Sequence, residues 1–190
     1  MCIGLRANKE LIGNLMVLIA NRCKPLYHTK LLKLLYLIDE ESTLKTGAPI
    51  TWLEYNAWQY GPVAEDIYYS KNIGYNKFNQ YVQFTYIYEN KYIVRPIIDF
   101  CDSDFTDRDL TIIHEVLDKY GHMNTKELIG ITHAEGSLWD KTVKTADIRF
   151  SPNNRTSDIP LDFAELIGND GFKRTIYCTA MENIELQATL

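Results

Sequence analysis

The 190-residue chain lacks most of the short patterns that announce chemistry. It has no GxxxxGK[ST], no GxGxxG and no GxSxG, so the common phosphate cradles and the serine nucleophile elbow are missing. Its four cysteines, Cys2, Cys23, Cys101 and Cys178, are scattered and form no CxxC, and its four histidines form no HxxxH or HExxH pair. That argues against structural zinc and for free thiols in a reducing cytoplasm. A basic surplus is also missing: the formal charge is −5, the wrong sign for a dedicated nucleic-acid binder. No apolar run approaches the ~18 residues of a membrane-spanning helix. Leu15 to Ala20 could pass for a signal-peptide core, but Asn14 and Asn21 bracket it and Lys9-Glu10 precede it closely. An amphipathic helix fits better. Internal repeats and low-complexity tracts are absent too.

What is present suits a globular domain. Residues are 46% hydrophobic and 12% aromatic, with 13 tyrosines, enough to build a core in one domain. The expected fold class is α+β and predominantly helical, a single compact domain with a small β-hairpin between helices. Residues 1–150 are read as that domain, and 151–190 as a C-terminal extension packed on it.

Leu11, Leu15, Leu18 and Ile19 share one helical face, and that helix should end near Lys24-Pro25, because a residue before proline is pushed out of the α region. A second helix is expected over 29–46, with Gly47 placed as a left-handed cap. Its centre, LLKLLYLI, is apolar almost all round, the mark of a helix buried on several sides. Thr51 and Glu54 have capping-box spacing and predict a short helical turn. Pro62 is read at the first position of a helix, with Glu65 and Asp66 in its first turn. VQFTYIY and YIVRPII, separated by Glu89-Asn90-Lys91, predict the hairpin. Two capping boxes follow, Thr106 with Asp109 and Asn124 with Glu127, starting helices that end at Gly121 and near His133. SPNNRTSDIP (151–160) reads as a loop. Beyond it LDFAELIG reads as a short helix, and FKRTIYC as either strand or helix.

Three groups of residues invite a functional reading, each beside a plainer one. In THAEGSLW (132–139), His133 and Glu135 could form an acid–base pair or two metal ligands. Equally, they could close a helix end while Trp139 fills the core, since one histidine and one carboxylate specify little. In AWQYGPV (57–63), Trp58, Tyr60 and the N–H groups after Gly61 could form an aromatic pocket with an anion site at a helix start. Otherwise they seal a tight corner, or present a docking surface rich in tyrosine and tryptophan. Lys30 and Lys33 are read by default as a solvated helix edge, and otherwise as a partner or anion contact.

The order of short motifs is itself informative: TKLLKLLY (29–36), GAPIT (47–51), AWQYGPV (57–63), YG (120–121), KEL (126–128) and THAEGSLW (132–139). This succession, from about Leu11 to Thr142, resembles the Panacea domain family of SocA-like antitoxins, related to phage-associated proteins; the tail after Ser151 lies outside the resemblance. The resemblance implies a small, largely helical, cytoplasmic bacterial protein of a toxin–antitoxin system, without catalysis, cofactor or metal. Its implied partner is a cognate toxin, neutralised by direct binding. One branch of the family implies a proteolytic adaptor that presents the toxin to the ClpXP protease. The matching motif residues are Lys30, Lys33, Leu34, Leu35, Tyr36, Gly47, Trp58, Tyr60, Gly61, Pro62, Val63, His133 and Trp139. Most belong to a shared scaffold, because one fold that serves different partners keeps its frame and varies its face.

Partner anchors are expected among the tyrosines of the corner and the hairpin: Tyr55, Tyr60, Tyr68, Tyr69, Tyr86 and Tyr88. Two other functions compete. A hairpin beside short helices could make a winged-helix DNA-binding regulator of a prophage or plasmid. Against it, Lys126 is the only cation in its helix and the overall charge is acidic. A hydrolase using His133 and Glu135 is the third reading. Binding to a membrane or to nucleic acid is not expected.

Overall fold

Helix α3 (His28–Thr46) is the centre of the molecule, as a helix whose middle is apolar almost all round must be. Leu31, Leu34, Leu35, Tyr36 and Ile38 are fully buried. The helix stops where Gly47 turns left-handed at φ 90° and donates its N–H to the Thr43 carbonyl at 2.9 Å. The computed structural model describes residues 2–72, 74–89 and 91–189.

Helices and strands from most of the chain pack on α3. Short α1 (Ile3–Ala7) leads into α2 (Lys9–Arg22), whose face of Ile12, Leu15, Met16 and Ile19 is buried. The two-residue β1 (Leu26–Tyr27) joins a three-stranded antiparallel sheet in the order β1-β5-β4. That sheet contains the expected hairpin, β4 (Val82–Tyr88) and β5 (Lys91–Pro96); Asn90, read as part of its connection, lies outside the described residues. Val82 and Val94 are buried at the inner end, while Tyr86, Ile87 and Tyr88 are exposed at the outer end. The hairpin therefore projects from the body.

The helices α5 (Asp107–Tyr120) and α6 (Thr125–Thr132) pack on α3 and start at the expected residues. In each, the cap side chain accepts from the N3 backbone N–H, and the N3 carboxylate accepts from the cap N–H. Helix α7 (Leu138–Thr145) follows, capped by Ser137. The tail supplies α8 (Ala164–Ile167) and α9 (Gly171–Thr189), so FKRTIYC is helical. Helix α9 lies on α1, and Tyr177 packs against Trp52 with ring centroids 5.2 Å apart.

Two expected helix starts are corrected. Thr51 opens no helical turn: its backbone N–H and its hydroxyl both donate to the buried Asp39 carboxylate, the former at 2.8 Å. A tertiary acceptor takes the place of a local cap. Pro62 is not a first helical residue either. Residues Tyr55–Trp58 (β2) and Gly61–Ala64 (β3) form an antiparallel pair joined by Gln59-Tyr60, and α4 (Glu65–Tyr69) begins only after it. Gly61, at φ 97°, makes that reversal possible,. Proline's missing N–H costs nothing in this place, because its register partner Ala57 donates instead to the Ile159 carbonyl at 2.9 Å,. Gln59 likewise donates to Arg155, and Leu161 donates to Tyr55. The 151–160 loop thus lays extended backbone along β2 and covers its edge.

Candidate functional site

Side chains from α3 and from the α6–α7 region, both remote in sequence, meet at the β2–β3 turn. From α3, the Lys33 ammonium donates to the Pro62 carbonyl at 2.8 Å. From the end of α6, the His133 ring nitrogens lie 2.7 Å from the Ile129 carbonyl and 3.1 Å from the Gln59 carbonyl. From α7, the Trp139 indole N–H donates to the Trp58 carbonyl at 2.9 Å. His133 and Trp139 lie against each other with ring centroids 3.8 Å apart. The turn's main chain is therefore held at 58, 59 and 62 by three side chains from outside it. Gly61 has no room for more: a Cβ there would sit 2.7 Å from the Thr132 hydroxyl and 2.9 Å from the Lys33 nitrogen.

This corrects the solvated-edge reading of the lysines. Lys33 is 1% exposed and Lys30 is 8% exposed. Burial lowers the Lys33 ammonium from its ordinary value to about 7, because the charged form has lost its water. Lys30 donates to the Gly121 carbonyl at 2.6 Å, tying α3 to the YG step that ends α5. Among the other motif residues, Leu34, Leu35, Tyr36, Gly47, Trp58, Pro62 and Val63 are also buried, the place of a scaffold.

A second buried centre lies nearly two turns further along α3. The Asp39 carboxylate is fully enclosed and accepts from Thr51 and, at 2.8 Å, from the Tyr55 hydroxyl. Burial raises its pKa to about 6 against the pull of these hydrogen bonds. Tyr55 is 1% exposed and packs edge-on against Tyr36. It is therefore removed from the expected partner anchors: its hydroxyl satisfies a buried carboxylate. Asp39 lies outside the motifs quoted above, whereas Thr132 opens one of them. Asp39 carries one signal, a carboxylate directly following the mostly apolar LLKLLYLI run.

The remaining tyrosines divide. Tyr68 is half-buried, edge-on to Trp58, with the Lys71 ammonium 3.6 Å from its ring centre. Tyr60 at the turn's tip, Tyr69, Tyr86 and Tyr88 are exposed. The anion site imagined after Gly61 does not form, since no helix starts there and Gly61 and Pro62 are buried.

The acid–base pair finds no support in the geometry. Both His133 nitrogens face main-chain carbonyls, and Glu135 is exposed. Among the described residues, no group of three or more His, Cys, Asp or Glu side chains is placed to hold a metal ion. Nor, among them, is any helix long and apolar enough to cross a membrane.

Comparison with known families gives one result. The model of the family described as "Antitoxin SocA-like, Panacea domain" matches residues 31–140, more than half of the chain. The match begins within α3, spans the turn and its three tethers, and ends just past Trp139. No curated protein and no solved structure matches.

Proposed function

The chain belongs to the SocA-like, Panacea-domain antitoxin family, and from that premise we propose that it neutralises a cognate toxin by binding it directly. The observation that carries this reading is where the motif residues spend their polar groups. Lys30, Lys33 and Trp139 donate to main-chain carbonyls, and the two His133 nitrogens lie against two more. A frame fastened in this way holds its shape while leaving outward side chains free to suit a partner. Binding, not catalysis, is the activity such a frame serves. Presentation of the bound toxin to a protease such as ClpXP is a finer form of the same reading.

The anchors are the exposed tyrosines. A stable interface needs roughly 800 Å² per partner and a few aromatic or arginine anchors at its centre. Tyr86 and Tyr88 stand on the outer end of the β4–β5 hairpin, and Tyr60 and Tyr69 on the corner. The test is co-expression with the product of a neighbouring toxin gene in a sensitive host. The paired changes Tyr86→Ala/Tyr88→Ala and Tyr60→Ala/Tyr69→Ala should abolish rescue with unchanged circular dichroism. Rescue that survives both pairs but fails for surface variants of α9 moves the binding face to the tail. A fall in toxin level that depends on the host protease identifies the adaptor form.

A further inference from the structure

A wide cleft lies away from the tethered turn, between the end of α2, the start of α3, the start of β5 and the α5–α6 junction. It encloses about 870 Å³, within the range of small-molecule sites. Its charge is unlike that of the chain. Arg22, Lys24, Lys30, Lys91 and Lys126 line it, and Asp118 is the one carboxylate among the described lining residues. That carboxylate is already engaged by the Arg22 guanidinium at 2.5 Å. A protein of net charge −5 therefore gathers five cations from separate elements into one concavity.

The cations differ in role. Lys30 is nine-tenths buried, and among the described residues its side chain donates to the Gly121 carbonyl alone, so an ammonium with further donors stands beside the cleft. Lys24, Lys91 and Lys126 are exposed at its rim. The start of α3 also opens here with no side-chain cap. Residues at the ends of α2 and α5 also line it, and the Gly121 carbonyl there is taken by Lys30. Tyr27, Tyr92 and Met123 give part of the wall a flat, apolar character.

We infer that this cleft binds a small polyanion carrying two or more phosphate groups. Phosphate oxygens are multiple acceptors of concentrated charge, matched to several ammonium donors converging from separate elements, while Arg22 is held at the edge by Asp118 and His114. A single carboxylate or sulfate would leave most of these cations unanswered. The inference does not rest on toxin neutralisation, and its test involves no toxin.

The test is isothermal titration of the purified full chain with inorganic triphosphate and, separately, with adenosine triphosphate. The expected result is saturable one-to-one binding that weakens with added salt. It should fall about tenfold or more in Lys24→Gln/Lys126→Gln, two rim positions outside the fold's tethers, a loss equivalent to about 1.4 kcal/mol. Adenosine triphosphate binding tighter than triphosphate assigns the apolar wall to a base, and equal binding assigns the site to phosphate alone. Lys30→Met is the second variant, read by thermal shift with and without triphosphate so that a folding defect is seen separately. Absence of binding by either probe at millimolar concentration overturns the inference. So does binding unchanged by the double substitution, and so does an oligo-aspartate peptide that binds more tightly than either phosphate.

Discussion

Replacing Lys33 by methionine tests whether the tether from α3 is a desolvated ammonium. The side chain is 1% exposed, with one acceptor, the Pro62 carbonyl at 2.8 Å. Burial holds its pKa near 7, against 10.5 for a free lysine. Between those values the unfolded chain carries a proton that the folded chain has released, so stability rises with pH across the window. The penalty of the buried charge is fully present below pH 7 and gone above 10.5. At 1.36 kcal/mol per pKa unit the whole effect is roughly 5 kcal/mol, of which about 2 kcal/mol falls between pH 7.5 and 9. Methionine keeps the apolar stem and removes the titration. It also leaves the Pro62 carbonyl without its donor, a cost of ~1–3 kcal/mol that does not vary with pH. Urea unfolding of both proteins from pH 6 to 9 separates the two contributions. The wild type should gain about 2 kcal/mol on the variant from pH 7.5 to 9. A difference that stays flat with pH refutes the reasoning, since it requires an ammonium that is paired or hydrated in the folded chain.

Asp39 gives the opposite slope: its folded pKa is raised from 3.8 to about 6, so the folded chain holds the proton longer and stability falls by roughly 3 kcal/mol as pH rises through that window. Melting temperatures of the wild type and Asp39→Asn from pH 3.5 to 7 check this, and a gap independent of pH would falsify it. Trp58→Ala removes a buried ring packed on Tyr68 at 4.8 Å and should cost ~3–5 kcal/mol by denaturant unfolding; an unchanged midpoint contradicts the packing. Gly61→Ala forces a Cβ into a left-handed residue against Thr132 and Lys33, for an expected loss of about 2 kcal/mol or more. Tyr60→Ala next to it, at an exposed tip, should stay within about 0.5 kcal/mol. Equal effects at the two neighbouring positions would remove the distinction between frame and face.

The parts legible in the sequence are those whose reasons are local. The starts of α5 and α6 are written in Thr106, Asp109, Asn124 and Glu127, which satisfy one another within one turn. The end of α3 is written in Gly47, and the β4–β5 hairpin in its run of β-branched and aromatic residues. The corner is different, because Gly61-Pro62 suits a helix start and a strand pair equally well by local chemistry. What decides between them arrives from elsewhere: Arg155 to Leu161 along β2, and Lys33 at the Pro62 carbonyl. Thr51 was misread for the same reason, since its cap-like spacing is answered by Asp39, 12 residues earlier. The lysines were legible in part. A stretch apolar almost all round has little solvated edge to give Lys33, so LLKLLYLI itself points to the buried position. Tyr55 carried no such mark, since its role depends on a carboxylate on another element.

The choice of main-chain acceptors has a consequence for how one frame can serve different partners. A side-chain acceptor ties two positions together, because changing either one leaves a buried group unsatisfied. A carbonyl is present whatever side chain its residue bears. The tethers to Trp58, Gln59, Pro62 and Gly121 therefore fix the path of the chain without fixing the residues between them. Tyr60 sits between two tethered residues yet projects into solvent, so its identity is free of the hydrogen bonds that hold its backbone. The Asp39 centre works in the contrary way: Thr51 and Tyr55 must both remain for the carboxylate to stay satisfied. On the proposed reading, variation in partner specificity falls to exposed positions such as Tyr60, Tyr69, Tyr86 and Tyr88.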